Sequence, residues 1–296
     1  MSAIASNQNP KLQELRRLHR RRERERAQAF VAEGEDLIDA ARRAGRQPLA
    51  GYRLAGSQIG GERFHDVEPD ALASVCTLAS GARALAVYEQ RYLPRPVGPL
   101  CLYLHGVADP GNVGTALRSA HAFGAACVAL GPRCADPHSP KAVRASMGAI
   151  FSVPLARVAP SGAAGHHATA ADAGAPPIDL AQLPGRTVAL AAGRGTPIAE
   201  LGRGAGPLTL LVGAERDGLP DALLAACDAV AQIPIAGDSL NAAMAATVAL
   251  YETTRESVEQ RGDAQAKSRD TRRPRESPLR PADPRPAAPP SRVRAS

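Results

Sequence analysis

Apolar residues recur along the chain in two spacings, which predict helices and strands in alternation. Near the N-terminus, Asn9 and Pro10 form a helix start, and an apolar stripe with helical spacing follows at Leu12, Leu15 and Leu18. Residues 30–32 predict a short strand, and residues 35–44 a second helix that stops at a glycine. Weaker signals of both kinds continue to Tyr88. Residues 1–90 are therefore predicted to form a small α/β domain.

Beyond a proline-rich linker at residues 91–99, short apolar runs alternate with helical stretches. The predicted strands are 100–107, 126–130, 187–192, 208–212 and 230–235, with a weaker one near Phe151–Val153. The predicted helices lie near 112–123, 139–149, 220–227 and 239–259. Short buried strands that alternate with helices favour a parallel α/β sheet. Residues 100–259 are therefore predicted to form a second, larger domain.

Positive charge lies at the two ends of the chain. Residues 261–296 hold ten Lys/Arg and four Asp/Glu, and residues 11–26 hold eight and three, whereas the whole chain carries only +7. The last 36 residues also contain seven prolines and no apolar periodicity, so residues 260–296 are predicted to be a disordered basic tail. Two basic ends suit a polyanionic partner, although solvation alone would also explain such charge.

The cysteines and the hydropathy favour a cytoplasmic protein. Five widely spaced cysteines form no C-x-x-C pair, which favours reduced thiols and gives no basis for a metal site. No apolar run approaches the roughly 20 residues of a membrane helix, and no signal-peptide pattern opens the chain. We therefore expect a cytoplasmic protein that binds neither membrane nor metal.

Three segments place glycine and polar residues just after predicted strands, where ligands bind in open α/β sheets. The first, from Asp109 to Gly114, leads into a helix that carries Arg118, and either Asp109 or Asn112 could cap that helix. The second surrounds Glu215 with Gly213 and Gly218. The third follows Ile233 and opens an alanine-rich helix with the triplet Ser239-Leu240-Asn241, in which Ser239 is a plausible N-cap. Each alone would be weak evidence for a site.

Taken in order, the three segments resemble a known family. They read D-P-G-N-x-G-x-x-x-R-x-A-x-x-F-G, then G-x-E-x-x-G-L, then I-P followed by S-L-N-x-x-x-A-x-x-x-x-Y-E. This succession is similar to the signature motifs of the SpoU/TrmH RNA methyltransferases of the SPOUT superfamily. Residues 30–34 and the N-terminal helix start resemble the family's ribosomal-protein-like RNA-binding domain. The resemblance covers about residues 4–255.

The resemblance implies a fold, an activity and a set of site residues. The implied fold is an α/β protein whose C-terminal methyltransferase domain forms a trefoil knot, with a small N-terminal α/β RNA-binding domain and a homodimeric assembly. The implied activity is methylation of a ribose 2′-hydroxyl in RNA by S-adenosylmethionine, in large-subunit ribosomal RNA rather than tRNA. The implied cofactor contacts are Gly213, Ile233 and Leu240, and the implied active-site residues are Asn112, Arg118, Glu215, Ser239 and Asn241.

Individual roles follow from the chemistry of these side chains. An arginine can orient a phosphate or hydroxyl bidentately, so Arg118 would contact the ribose 2′-hydroxyl or a neighbouring phosphate. Asn112 would position the ribose, Glu215 would hold an arginine or the motif loop, and Ser239 and Asn241 would line the cleft. RNA contacts are expected from the arginines of the first helical region: Arg16, Arg17, Arg20, Arg21 and Arg22.

Other functions stay open at this point. A tRNA ribose methyltransferase and a catalytically inactive RNA-binding or ribosome-assembly factor are possible on the same fold, although the intact polar residues disfavour the latter. A nicotinamide-dependent oxidoreductase would need a G-x-G-x-x-G turn after the first strand of a βαβ unit, which is absent from the sequence. A serine hydrolase built on Ser239 would need a G-x-S-x-G elbow, which is also absent.

Overall fold

Two sheets organise the described part of the chain. The computed structural model describes residues 3–61, 63–77, 81–160, 178–201, 204 and 206–255. The predicted disordered tail, residues 260–296, lies outside these ranges. Residues 1–255 belong to one compact unit, and the division into domains at residues 90 and 100 stays a prediction.

Within the described residues, the N-terminal module contains a four-stranded sheet and four helices. Its strands are ordered β1-β4-β2-β3, with β1/β4 and β4/β2 antiparallel and β2/β3 parallel. The predicted leucine stripe is buried against one face of this sheet. The elements are α1 Pro10–Leu18, α2 Arg21–Ala27, β1 Ala29–Glu33, α3 Glu35–Arg43, β2 Ala50–Leu54, β3 Phe64–Val67, α4 Pro69–Ala73 and β4 Ala84–Glu89.

The second module is a seven-stranded sheet in which every pairing is parallel, as the alternation of strands and helices predicted. Its strand order is β7-β6-β5-β10-β8-β11-β9. The strands are β5 Leu100–Leu104, β6 Cys127–Leu130, β7 Leu155–Arg157, β8 Arg186–Leu190, β9 Thr196–Pro197, β10 Leu208–Val212 and β11 Ala229–Gln232. The helices are α5 Pro110–Ala122, α6 Pro140–Ala145, α7 Ala149–Ser152, α8 Ile198–Leu201, α9 Asp221–Ala226 and α10, residues 242–255.

The strand order reverses between β5 and β10. From β5 the chain proceeds outward to β6 and β7, and it then returns to the other side of β5 for the remaining strands. The loops that leave the carboxyl ends of β5 and β10 therefore meet at a topological switch point, where open parallel sheets bind ligands. The knotted path that the resemblance implies stays a prediction. None of the helices within the described ranges is long and apolar enough to cross a bilayer.

Some local predictions were wrong. The weak strand near Phe151–Val153 is part of α7, and the strand follows it at β7. The apolar run that suggested this strand packs as a helical turn against α3 and α5, and a run this short fits either structure. The separate helix α2 was not predicted. The predicted N-cap at Ser239 is also wrong, because Asn241 caps α10: its Oδ1 accepts from the N–H groups of Ala243 and Met244 at 2.9 and 3.3 Å.

Helices α5 and α6 approach each other closely at Gly114. A Cβ atom at this position would lie 2.3 Å from the Ala142 carbonyl oxygen and 3.0 Å from the Ser146 nitrogen. Both contacts involve backbone atoms, which cannot swing away as a side chain can. The first motif therefore needs glycine here because of the close packing of the two helices.

We expect Gly114→Ala to lower the free energy of unfolding by about 2 kcal/mol, because forced overpacking exceeds the gain in helix propensity of about 1 kcal/mol. Urea unfolding of this variant and of Gly206→Ala tests the expectation. Gly206 has no atom within 4 Å of an added Cβ and should tolerate alanine. Equal stability of the two variants would contradict the packing explanation.

A buried ion pair joins the two modules. Arg24 of α2 donates from Nη2 and Nε to Asp136 Oδ2 at 2.6 and 2.9 Å, and both side chains are at most 5% exposed. Arg24 Nη1 also donates to the carbonyls of Leu18 and His19 at 3.0 and 2.8 Å. Asp136 Oδ1 accepts the backbone N–H of His138 at 2.9 Å. Both buried charges are thus paired and hydrogen bonded.

His138 is buried at the same junction. Its ring lies 4.7 Å from that of Phe30, and its Nδ1 lies 3.2 Å from the hydroxyl oxygen of Tyr92. That oxygen accepts from Arg157 Nη2 at 2.9 Å, so the Tyr92 proton is free to point to His138 Nδ1. Burial lowers the pKa of His138 to about 4, against the opposing effect of Asp136. The imidazole is therefore neutral in the folded protein at pH 7.

This depressed pKa predicts an acid sensitivity. Between the unfolded pKa of about 6.5 and the folded pKa of about 4, only the unfolded state binds the proton, so stability falls as pH falls through this window. We expect a loss of about 2 kcal/mol from pH 7 to pH 4.5 that is attributable to His138. Urea unfolding of His138→Gln at both pH values should show a smaller loss than the parent. The same substitution at the exposed His121 should leave the loss unchanged, and equal slopes for the parent and His138→Gln would contradict the assignment.

Candidate active site

A cavity of about 600 Å³ lies at the carboxyl edge of the parallel sheet. Its walls come from the segments that follow β8, β10 and β11 and from the start of α10. It brings together five of the residues predicted from sequence: Gly213, Glu215, Ile233, Ser239 and Leu240. Its size falls in the range of roughly 300–1,000 Å³ that is typical of cofactor sites.

The loop after β10 is closed on itself beside the cavity. Ala214 and Gly218 exchange two backbone hydrogen bonds, at 3.2 and 3.0 Å. A Cβ atom at Gly213 would lie 2.1 Å from the Gly218 carbonyl carbon, so the loop can fold back only over a glycine. Gly218 has a φ of +62°, in the left-handed region that favours glycine. The two glycines of the second motif therefore shape the cavity wall.

Side chains from all three motifs meet at Glu215. Asn112 Nδ2, from the first turn of α5, donates to Glu215 Oε1 at 2.5 Å. Asn241 Nδ2 donates to the same oxygen and also to Asn112 Oδ1, the latter at 3.0 Å. These residues are 103 and 26 positions from Glu215 in sequence, so only the fold brings them together.

This network fixes the orientation of both amides. An ionised carboxylate only accepts hydrogen bonds, so it draws the Nδ2 groups of Asn112 and Asn241 toward Glu215. Asn241 Oδ1 then faces the first turn of α10, whose N–H groups it accepts. Glu215 therefore links the segments that carry the three motifs, and its role in the reaction stays a prediction. It has no hydrogen bond to an arginine within the described ranges.

Helix α5 is anchored at its N-terminus and again at Ser119, seven residues beyond Asn112. Asp109 caps it by accepting the N–H of Asn112 at 3.0 Å, and it pairs with Lys141 Nζ at 2.6 Å. That pairing, followed by the hydrogen bond from Asn112, holds the pKa of Asp109 below its usual range. Further along, the hydroxyls of Ser119 and Thr247 are 2.6 Å apart and join α5 to α10. The helix thus has a fixed position relative to the cavity.

Arg118 differs from the other predicted site residues. It lies six residues beyond Asn112 on α5, about 9 Å along the helix axis. Its side chain is exposed, lies outside the cavity lining and has no hydrogen-bond partner in the described part of the chain. Because its neighbour Ser119 anchors the helix, the base of the Arg118 side chain is held in place while its guanidinium remains available to a ligand.

Sequence reasoning missed the loop after β8. Leu190, Ala191, Ala192 and Arg194 line the cavity, and Arg194 pairs with Asp221 at 3.1 Å. Gly193 and Gly195 in this loop both have positive φ values, +64° and +92°. A strand end followed by two closely spaced glycines is the same signal that marked the second motif. Asp238, before the third motif, was also missed.

The predicted RNA-binding arginines separate into two groups. Arg16 is committed within the protein, to the Asn7 carbonyl at 2.7 Å and the Ser74 hydroxyl at 2.7 Å, and Arg21 pairs with Glu25 at 2.8 Å. The other three are exposed and have no hydrogen-bond partner in the described ranges: Arg17, Arg20 and Arg22.

Comparison with known proteins identifies the class. The SpoU rRNA Methylase family matches residues 99–251, and an MRM3-like substrate binding domain matches residues 9–53. The chain therefore belongs to the SpoU rRNA methylase family, a family of methyltransferases. Because one match spans the parallel sheet and the other the start of the N-terminal module, the resemblance noted in the sequence is confirmed.

Individual relatives cover nearly the whole described region. The 23S rRNA (guanosine(2553)-2′-O)-methyltransferase RlmP of Bacillus subtilis is 28% identical, over 85% of this chain and 98% of that protein. An AdoMet-bound rRNA methyltransferase from Sinorhizobium meliloti superposes with a TM-score of 0.71 at 28% identity, over 86% of this chain and 98% of that one. The SpoU methyltransferase AviRb from Streptomyces viridochromogenes, in complex with AdoMet, superposes with a TM-score of 0.69 at 29% identity, over 85% and 99%.

Proposed function

We propose that this protein transfers a methyl group from S-adenosylmethionine to a ribose 2′-hydroxyl in large-subunit ribosomal RNA. The observation that carries the proposal is the network in which Asn112 and Asn241 meet at Glu215, so that one residue from each motif joins at a side chain that lines the cavity. The relatives named for 2′-O-methylation of 23S rRNA support the substrate class. Such a substrate also supports a cytoplasmic location.

The cavity suits the cofactor. Leu190, Ile233 and Leu240 give apolar walls for an adenine ring, and Gly213 offers backbone without a side chain. Charged groups of both signs also line the cavity and match the amino and carboxylate groups of a methionine moiety: Arg194, Arg216, Asp217 and Asp238. When bound, S-adenosylmethionine supplies an electrophilic methyl group on a sulfonium.

The protein then has to orient the nucleophile, the ribose 2′-hydroxyl, toward this methyl group. Arg118 is available to bind the ribose or a neighbouring phosphate bidentately, and the role we propose for it is orientation and electrostatic stabilisation. Asn112 keeps one Nδ2 proton beyond its bond to Glu215, and this proton can hold the ribose. Ser239 lines the cavity without a hydrogen-bond partner in the described residues and is available to either ligand.

The substrate assignment is tested by mapping 2′-O-methylated positions in total RNA from cells with and without the gene. We expect one position in large-subunit ribosomal RNA to lose its methyl group and to regain it when the gene is restored. Loss of a tRNA position instead would assign the protein to tRNA. An unchanged map, together with no calorimetric binding of S-adenosylmethionine at millimolar concentration, would identify an inactive RNA-binding factor.

Helix α10 supports a homodimer. Met244 and Tyr251 are 57% and 48% exposed, and they lie seven residues apart on one face of the helix. Tyr251 also contacts Phe123, the C-cap residue of α5, edge-on, with the ring centroids 6.1 Å apart. The exposed apolar face is therefore next to the helix that carries Asn112 and Arg118, so a dimer formed here would put the two active sites near the interface.

We expect light scattering at micromolar concentration to give twice the chain mass of 30.7 kDa. Met244→Lys with Tyr251→Lys should shift the protein to a monomer, because two charges would be buried without partners. Lysine at the exposed Leu49, in the N-terminal module, is the control and should leave the dimer intact. A monomeric parent protein would contradict the dimer.

A further inference from the structure

The N-terminal module carries a second large cavity, of about 760 Å³, that plays no part in the active site. Its lining comes from α3, from the segment between β2 and β3, and from β4. Four arginines surround it, Arg42, Arg46, Arg63 and Arg83, together with the acids Glu35 and Asp39. The balance of these charges is positive, which suits an anionic partner. We refer to it below as the arginine groove.

The four guanidinium groups are braced by their surroundings. Arg46 donates to the Glu89 carbonyl at 2.8 Å and Arg63 to the Pro48 carbonyl at 3.4 Å. Arg83 lies 3.2 Å from Glu35, and Arg42 lies 3.2 Å from Asp39. A guanidinium has five N–H donors, so each group is positioned by one contact and keeps most of its donors for a ligand.

The charge on Arg46 is only partly compensated by its surroundings. Burial lowers the pKa of its guanidinium, and the nearby positive charge of Arg91 lowers it further. Both effects mean that its charge is incompletely compensated by the protein. A bound phosphate would supply that compensation, and guanidinium groups match phosphate oxygens bidentately.

The rest of the lining adds hydrogen-bonding groups and exposed backbone. Gln47 and Gln58 contribute amides, and Gly60 and Gly61 leave the backbone uncovered. A Cβ atom at Gly60 would lie 2.4 Å from the Phe64 ring, so this loop rests directly on the aromatic side chain. Guanidinium groups can bind phosphates, and neighbouring side-chain amides and exposed backbone groups can bind base edges. Contacts of both kinds are used in RNA recognition.

The groove is connected to the active site through packed helices. Helix α3, which forms one wall, packs on α7, where a Cβ atom at Gly148 would lie 2.3 Å from that of Ala40. Helix α7 in turn packs on α5, the helix that carries Asn112 and Arg118. The position of the groove relative to the methyl-transfer site is therefore fixed by direct packing, so an RNA that contacts both would be held in one register.

We propose that the arginine groove is the surface through which the N-terminal module recognises folded substrate RNA, and that the arginines of α1 and α2 supply mainly non-specific attraction. Each guanidinium of the groove has one contact that biases its position, so the groove presents a concave pattern of positive charge that can select an RNA shape. Arg17 in α1, Arg20 at the N-cap of α2 and Arg22 in α2 are instead exposed and have no hydrogen-bond partner in the described ranges. This inference rests on the proposed function, because it takes RNA as the substrate.

Two triple variants, each of which removes three positive charges, test whether the groove and the arginines of α1 and α2 have these different roles. The groove variant is Arg42→Gln/Arg63→Gln/Arg83→Gln, which leaves Arg46 in place because it braces the Glu89 carbonyl. The helix variant is Arg17→Gln/Arg20→Gln/Arg22→Gln. Filter binding at two salt concentrations compares an unmodified large-subunit rRNA transcript with poly(U). Circular dichroism and calorimetric binding of S-adenosylmethionine check that both variants are folded.

We expect the groove variant to bind the rRNA transcript at least 10-fold more weakly and to lose its preference over poly(U). The helix variant should weaken binding to both RNAs by similar factors, with a reduced salt dependence and the preference retained. A groove variant that keeps the wild-type preference would overturn the inference, as would loss of preference in the helix variant alone. Failure of the proposed function would look different: a wild-type protein that prefers the rRNA transcript but neither binds the cofactor nor methylates RNA.

Discussion

Replacing Arg118 with alanine should lower the rate of methyl transfer at least 100-fold, because orientation and electrostatic aid at the reacting group typically contribute factors of this size or larger. The affinity for S-adenosylmethionine should change less than about twofold, since Arg118 lies outside the cavity lining. The fold should also survive, because the side chain is exposed and has no hydrogen-bond partner in the described ranges. The measurements are single-turnover methylation and calorimetry.

Two further variants separate the role of Arg118 from a general loss of charge. Arg118→Lys keeps the charge but lacks the planar fork, so it should recover only a small part of the rate. Arg95→Ala removes another exposed arginine, in the linker, and should methylate at the parent rate. If Arg118→Ala still methylates at the parent rate, Arg118 is not the residue that orients the ribose.

The positions of strand ends predicted which residues would gather at this edge of the sheet. Gly213, Glu215, Ile233 and Leu240 follow buried apolar runs, and the carboxyl ends of parallel strands share one edge of a sheet. Their appearance around one cavity follows from that geometry. The family resemblance added what alternation alone could not, namely which polar residues matter and what they bind.

The hydrogen bonds among the motifs could not be predicted from the pattern. They depend on β5 and β10 being neighbours, although β8 and other elements separate them in the chain. The apolar pattern of a strand predicts that the strand is buried, but it does not predict which strand lies beside it. The contact between Asn112 and Glu215 is a property of this strand order.

Helix boundaries were less predictable than the helices themselves. Serine and asparagine are equally good N-caps, so the triplet Ser239-Leu240-Asn241 offers two starts for α10. Asn241 is the one used, because its amide nitrogen also bonds to Glu215 and Asn112. The tertiary network therefore decides a local choice that propensity leaves open.

The junction between the modules was not visible in the sequence at all. Arg24 belongs to a run of arginines that predicts a solvated, basic helix face, yet it is 3% exposed and paired with Asp136, 112 residues away. The pairing uses one arginine of the run, while its neighbours Arg20, Arg21 and Arg22 remain exposed. The run of arginines thus predicted solvent exposure correctly for most of its members and wrongly for Arg24.

Asp136→Ala should lower the free energy of unfolding by about 3–5 kcal/mol, the cost of leaving a buried charge without its partner. Arg24 would keep only its bonds to the Leu18 and His19 carbonyls. Adding Arg24→Met to this variant should restore part of the loss, since the double variant has no unpaired buried charge but leaves those two carbonyls without a donor. Urea unfolding midpoints at constant m-value measure all three proteins. The exposed pair Arg21–Glu25 in the same helix is the matched control, and Glu25→Ala should cost less than about 0.5 kcal/mol. If Asp136→Ala costs no more than Glu25→Ala, the buried pair does not stabilise the junction, and the apolar contacts and the other polar contacts between the modules, such as that of Arg144 with Thr77, hold it together.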